Sequence, residues 1–176
     1  MKYKFENPIV IALGGSIIYP KNINTAFLKK FKTFIETFVA GGKKFIIVTG
    51  GGNIAREYQK ALAEIITLPD HEKDWIGIHA TRCNAQLLKD AFIDISEPVV
   101  FDQRFKLDFL EKSITIASGW RPGWSTDYVA LQLAEDFKAG EAIIAGSPSH
   151  VYDKDPKKYK DAKPIEKISW EDYRKI

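Results

Sequence analysis

The chain has 176 residues, 45% of them hydrophobic and 28% charged, with a formal net charge of +3. That length suits one folded core rather than two, and the lone Cys83 excludes both a disulfide framework and a cysteine-based zinc site. No apolar run reaches the ~18–20 residues of a membrane span, the charged stretch Met1–Pro8 does not read as a signal peptide, and the expectation is a single globular domain of the cytoplasm.

Apolar periods alternate along the chain between strand and helix. Ile9-Val10-Ile11-Ala12-Leu13 is an unbroken apolar run ending at Gly14-Gly15, the pattern of a strand buried on both faces. Asn24 or Thr25 caps a helix in which Phe27, Leu28, Phe31, Phe34, Ile35, Phe38 and Val39 recur at spacings of three and four. That aromatic stripe is expected in the core, and Gly41-Gly42 ends it. Phe45-Ile46-Ile47-Val48 is a second buried strand, running through Thr49 into Gly50-Gly51-Gly52 and then a helix carrying Ala55, Tyr58, Leu62 and Ile65. Pro69 interrupts the pattern, and Asp70-His71-Glu72-Lys73 reads as an exposed loop. A helix from about Asp74 carries Trp75, Ile78, Cys83, Ala85, Leu88 and Phe92, with Cys83 expected as a small buried residue. Pro98-Val99-Val100 and Ile114-Thr115-Ile116-Ala117 are expected strands. A loop rich in Gly, Pro and Trp from Gly119 to Ser125 precedes a helix from Thr126 that buries Val129, Leu131, Leu133, Ala134 and Phe137; Ala142-Ile143-Ile144-Ala145 is expected as a further buried strand. Such alternation implies an α/β fold with a mainly parallel sheet and helices on both faces. Ligands of such sheets bind beyond the carboxyl ends of the strands.

Three of those strand ends carry glycine or small polar residues. Gly14-Gly15-Ser16 is either a tight turn or a place where backbone N–H groups approach an anion without a Cβ in the way. Gly50-Gly51-Gly52-Asn53 stands directly before a helix, and three consecutive glycines are costly enough to favour an anion nest. Neither loop is a Walker motif or a dinucleotide fingerprint. Arg56, one helical turn on, reaches a phosphate at that helix start or pairs with Glu57 or Glu64. In Gly119-Trp120-Arg121-Pro122-Gly123-Trp124-Ser125-Thr126-Asp127, Ser125 and Thr126 are placed to cap the next helix, and Arg121 to clamp a phosphate. Trp120 or Trp124 stacks on a base or covers the core; Asp127 holds a metal, orients phosphate donors, or simply favours the helix start. His71, His79 and His150 show no metal-ligand spacing. From Asp153 to Ile176, eight Lys/Arg are interspersed with six Asp/Glu, which argues against a nucleic-acid arm.

Gly14-Gly15-Ser16, the triple glycine with Ala55-Arg56-Glu57-Tyr58, Lys73-Asp74-Trp75-Ile76-Gly77-Ile78, Thr81-Arg82-Cys83-Asn84-Ala85, Ser125-Thr126-Asp127 and Val151-Tyr152-Asp153-Lys154-Asp155-Pro156 occur in one order. Together they resemble the uridylate (UMP) kinases of the amino-acid-kinase fold, in particular the archaeal-type branch. The resemblance implies a three-layer αβα sandwich and transfer of the ATP γ-phosphoryl group to UMP, with Mg²⁺ carried by ATP. By position it implies that Gly14, Gly15, Ser16, Gly52, Arg56, Gly146, Ser147, Tyr152 and Asp155 serve ATP. Gly51, Asp74 and the stretch Trp120, Arg121, Pro122, Gly123, Trp124, Ser125 and Thr126 would serve UMP. Arg56 and Asp127 would act at the reaction centre.

The resemblance also implies residues to about 117 as an acceptor half, residues from about 118 to 176 as an incomplete ATP half, and a homo-oligomer, by likeness a hexamer built through the first helix region. The sequence departs from the family at Ala12, where bacterial members carry lysine, and at Gly146-Ser147-Pro148-Ser149-His150, where Ser149 stands for an aspartate and Ser147 for an asparagine. Family members also continue past the equivalent of Ile176. The alternatives are a nucleotide-binding or storage-type homologue impaired in catalysis, or a kinase of the same fold acting on acetylglutamate or isopentenyl phosphate.

Overall fold

A computed structural model describes residues 7–146 and 150–173. The chain divides into two compact units at Gly146/Ser147. In the first, strands β1 (Ile9–Leu13), β2 (Phe45–Thr49), β3 (Ile114–Ala117) and β4 (Ala142–Ala145) form a parallel sheet in the order β3-β2-β1-β4. Register pairs Ile11 with Ile47 on one side and with Ile143 on the other.

Side chains of successive strand residues point to opposite faces, and the two cores follow that parity. Val10, Ala12, Ile46, Val48 and Ala117 pack with Val129, Ala130 and Leu133 of helix α5 (Thr126–Asp136). Ile11, Leu13, Phe45, Ile47, Ile114 and Ile116 pack with Ile35 of α2 (Thr25–Ala40) and with Ala85 and Leu88 of α4 (Asp70–Ala91). Helices therefore cover both faces, giving the three-layer αβα arrangement. Helix α1 (Gly15–Ile18) follows β1 directly, and α3 (Gly52–Ile65) follows β2 and packs on α4. Asn24 caps α2, its Oδ1 accepting from Phe27 N at 3.1 Å, and Ser125 caps α5, its Oγ accepting from Tyr128 N at 3.1 Å. No helix among the described residues is long and apolar enough to cross a membrane.

Several expectations are corrected. Pro98–Val100 is not a strand. Glu97 N donates to Ile114 O and Phe101 N to Ile116 O, both at 2.8 Å, so Val99, the next donor of a regular parallel ladder, is skipped and the pairing breaks between them. Isolated parallel bridges at Ser96 and Phe101 along the β3 edge result. Asp70-His71-Glu72-Lys73 is the first turn of α4 rather than a loop: Pro69 sits at the N-cap, and Asp70 and Glu72 complement the helix dipole. Strand β4 is half-exposed, with Ile143 at 46% and Ile144 at 51%, because it is the edge strand and pairs only with β1 among the described residues. On α2, Ile35 is buried, whereas Phe34 and Phe38 turn outward and pack against each other, ring centroids 4.8 Å apart. Tyr58 and Ile65 of α3 are exposed, since that helix lies on α4 and not on the sheet. Cys83 is exposed on the outer side of α4, where Asn84 and Ala85 take the inward positions.

The second unit, as far as it is described, holds a hairpin of β5 (Val151–Tyr152) and β6 (Pro164–Ile165) and a short helix α6 (Trp170–Tyr173). Asp153 braces the hairpin, its Oδ1 accepting from Lys163 N at 2.8 Å, and Lys154 pairs with Asp161 at 2.6 Å.

Candidate active site

All four parallel strands present their carboxyl ends on the same edge, where the glycine loops meet. A Cβ on Gly15 would lie 1.9 Å from Gly52 N, a separation no side chain can occupy, so the loops after β1 and β2 touch backbone to backbone. Gly52 adopts φ +75°, a conformation that glycine alone takes without strain. On the other side Gly14 N donates to Ala145 O at 2.7 Å, which brings the end of β4 and Gly146 alongside. Ser16 lies in α1.

A cleft of about 240 Å³ opens over these tips. Its walls are Gly51, Gly52, Ala55, Arg56 and Gln59 from α3 and the turn before it, and Asp74, Gly77, Ile78 and Thr81 from α4. Gly119, Arg121, Trp124 and Thr126 complete it from the β3–α5 loop.

Helix α4 holds the cleft together by polar contacts from its buried side. Thr81 Oγ1 donates to Ile78 O at 2.6 Å and accepts from Gly119 N at 2.8 Å, fixing the start of the β3–α5 loop. Thr49 at the end of β2 donates to Thr81 O at 2.9 Å. Asn84 Nδ2 donates to Gly50 O at 2.7 Å and to Gly51 O at 3.1 Å, holding the triple-glycine loop. Gln59 Nε2 donates to Lys73 O at 2.9 Å, joining α3 to α4. Near the mouth, Gly123 N donates to Asp74 Oδ2 at 2.8 Å.

The charge in the cleft is mostly cationic. Arg56 is exposed and makes no ion pair among the described residues; its neighbour Glu57 accepts instead from Asn53 Nδ2 at 2.6 Å. Arg121 lies over the Trp124 ring, 4.0 Å from the centroid, and likewise has no carboxylate partner among the described residues. Trp124 in turn meets Tyr128 edge-on at 4.5 Å. Stacked in this way, the Arg121 guanidinium keeps its charge available while its plane is held. Asp127 follows Thr126 in the first turn of α5. Although the residue is exposed, partial desolvation of its carboxyl pushes its pKa above the ordinary aspartate value. Among the described residues no group of three or more His, Cys, Asp or Glu could hold a metal ion.

The site residues read from the sequence thus fall into several places. Gly51, Gly52, Arg56, Asp74, Arg121, Trp124 and Thr126 line one cleft, with Gly14, Gly15 and Gly146 at the adjoining strand tips. Trp120 is only 8% exposed and donates its indole N–H to Phe101 O at 3.1 Å, so it covers the core. Pro122, Gly123 and Ser125 are in the same loop but do not line the cleft; Gly123 is tied to Asp74, and Ser125 caps α5. Tyr152 and Asp155 belong to the second unit: the Tyr152 ring faces His150 edge-on at 6.4 Å, and Asp155 Oδ1 accepts from Lys157 N at 2.9 Å. Ser147 and Ser149 lie outside the described residues. The sequence reading gave no role to Gln59, Gly77, Thr81, Asn84 or Gly119. Thr81 and Asn84 stand three apart and so share a helix face, which is the signal that marks them.

A model of the amino acid kinase family matches residues 7–175. Curated relatives named uridylate kinase, from Thermococcus sibiricus and Methanocaldococcus jannaschii, are 38% and 37% identical over 165 residues. The matches cover 93% and 92% of this chain and 72% of each relative. The crystal structure of uridylate kinase from Archaeoglobus fulgidus is similar at TM-score 0.74 and 34% identity, over 89% of this chain and 71% of that one. The UMP kinase of Bacillus anthracis, at 23% identity, shares the fold with TM-score 0.75 over 96% of this chain and 77% of that one. With the glycine-lined cleft built on the same sheet, these matches establish that the chain belongs to the amino acid kinase family, among its uridylate kinases.

Proposed function

We propose that this chain transfers the γ-phosphoryl group of ATP to the phosphate of UMP, giving UDP and ADP. The observation that carries the reading is the meeting of the glycine loops after β1 and β2 beside two cations that lack acidic partners among the described residues, Arg56 and Arg121. The attacking group, a phosphate oxygen of UMP, is already an anion, so the site requires alignment and charge neutralisation rather than a strong base. In this reading Gly51, Asp74, Arg121, Trp124 and Thr126 take UMP. The Gly14–Gly15 loop, Gly52 and Gly146 take the ATP phosphates, and Arg56 spans the transferring group.

Magnesium is implied by the chemistry. Two separate carboxylates, Asp74 in the cleft wall and Asp127 in the first turn of α5, with no group of three or more metal-ligating side chains among the described residues, suit an ion held mainly by ATP oxygens. When bound, it would neutralise charge on the β- and γ-phosphates. The outward pair Phe34 and Phe38 supports association of copies through α2, and the substrates fit a cytoplasmic location.

The test is ADP formation by the purified chain with ATP and magnesium, comparing UMP, CMP and acetylglutamate as acceptors. Turnover that depends on UMP is expected. Equal inactivity towards all three, or a preference for acetylglutamate, contradicts the proposal.

A further inference from the structure

Asn84 is 5% exposed, lies one helical turn deeper than the cleft-lining Thr81, and does not itself line the cleft. Its side-chain amide spends both contacts on consecutive carbonyls, Gly50 O at 2.7 Å and Gly51 O at 3.1 Å. In a planar trans peptide the C=O of one residue and the N–H of the next point in opposite directions. Drawing those two carbonyls towards α4 therefore turns the N–H groups of Gly51 and Gly52 away from Asn84. Neither N–H finds an acceptor among the described residues, although Gly52 is buried. Buried backbone donors are almost always satisfied, so an acceptor from a ligand is the natural partner. A glycine triplet has many conformations open to it, and nothing in its own sequence selects this one.

We infer that Asn84 is a positioning residue: by gripping the carbonyls of Gly50 and Gly51 it aims the N–H groups of Gly51 and Gly52 at a bound phosphate. The inference rests on the kinase reading for the identity of the phosphate, but the orientation of the donors does not depend on turnover. A leucine at this position matches the shape of asparagine and donates nothing. An aspartate also matches the shape, yet offers a donor hydrogen only when its carboxyl is protonated.

The experiment measures affinity for UMP and for inorganic pyrophosphate by titration calorimetry, together with kcat and KM, for the full chain and for Asn84→Leu, Asn84→Asp and Ser96→Ala. Ser96 is equally buried and donates to Lys89 O at 3.1 Å away from the cleft, so Ser96→Ala controls for general loosening. Asn84→Leu is expected to weaken both ligands at least tenfold, and Ser96→Ala less than twofold. Asn84→Asp is expected to match the leucine variant near neutral pH and to recover relative to the unsubstituted chain as the pH is lowered. Affinities of Asn84→Leu within twofold of the unsubstituted chain, no acid recovery in Asn84→Asp, or no binding of either ligand by the unsubstituted chain would overturn the inference. Pyrophosphate binding that responds to Asn84 without any phosphorylation of UMP would uphold the positioning role and reject the kinase reading. Turnover of UMP indifferent to Asn84 would do the reverse.

Discussion

Gly15 and Gly52 are packed so closely that neither tolerates a side chain. A Cβ on Gly15 would fall 1.9 Å from Gly52 N and 2.6 Å from Gly50 C, and one on Gly52 would fall 2.5 Å from Gly15 O. The obstructing atoms are backbone, which cannot swing aside as a flexible side chain can. The glycine loops after β1 and β2 are therefore interlocked, and the distance between their backbone N–H groups is fixed by the absence of Cβ atoms.

Gly15→Ala is accordingly expected to cost roughly 2–3 kcal/mol of stability by overpacking and to lower UMP phosphorylation more than a hundredfold. Gly140→Ala, where a Cβ meets nothing within 4 Å, serves as the neutral control. Urea unfolding and the ADP assay check the pair.

Arg56 has no carboxylate to neutralise it among the described residues and stands exposed at the cleft. Its removal should leave the fold intact and strike catalysis. Arg56→Ala is expected to reduce kcat/KM by roughly 10²–10³, the scale of losing one charge-stabilising group, with unfolding free energy within ~0.5 kcal/mol of the unsubstituted chain. Arg56→Lys should recover only part, because lysine keeps the charge without the planar fork. Steady-state kinetics and urea unfolding measure both effects.

Asp127 predicts a pH effect. Its unfolded carboxyl titrates near 3.8, and burial raises the folded value above that. Between the two values the folded chain binds more protons than the unfolded, so this group's contribution falls as pH rises through the window and its cost is fully present above it. Asp127→Asn cannot ionise. Its stability relative to the unsubstituted chain should therefore rise with pH across that window and level off above it, as read by urea unfolding at a series of pH values. A difference independent of pH would contradict the assignment of the shift to burial.

Thr115 is fully buried in β3 and its Oγ1 has no hydrogen-bond partner among the described residues. Thr115→Val keeps the branched shape and removes an unsatisfied polar atom. Unfolding free energy is expected to rise by up to ~1 kcal/mol, with no change in UMP turnover, since the residue lies outside the cleft.

Much of the fold is legible where burial is on both faces. Ile9–Leu13, Phe45–Val48 and Ile114–Ala117 are strands because uninterrupted apolar runs bounded by glycine or small polar residues have few other uses. The edge is where the pattern misleads. Ala142–Ala145 has the same composition as a central strand, and only the sheet order shows that Ile143 and Ile144 are half-exposed. Phe34 and Phe38, four residues apart and on either side of Ile35 in the same apolar stripe, face outward, because a stripe as wide as this one exceeds what a single sheet face can cover.

The candidate site is legible in its glycines and arginines, whose cost or charge marks them. For Thr81 and Asn84 only the shared helix face is legible, not the loops they grip. Polar residues inside a helix read as surface until the loops they grip are placed beside them. Trp120 and Trp124 show the limit from the other side: four residues apart in one loop, one closes the core and the other lines the cleft.

The chain's 12 glycines are natural reporters of where phosphate binds. The most direct measurement is therefore an amide proton–nitrogen correlation spectrum of the ¹⁵N-glycine-labelled chain, titrated with UMP and ATP together. The account predicts that the Gly51 and Gly52 resonances move most while Gly41, Gly42 and Gly140 stay in place. Shifts confined to those distant glycines, or none at the triple-glycine loop at saturating UMP and ATP, would contradict it.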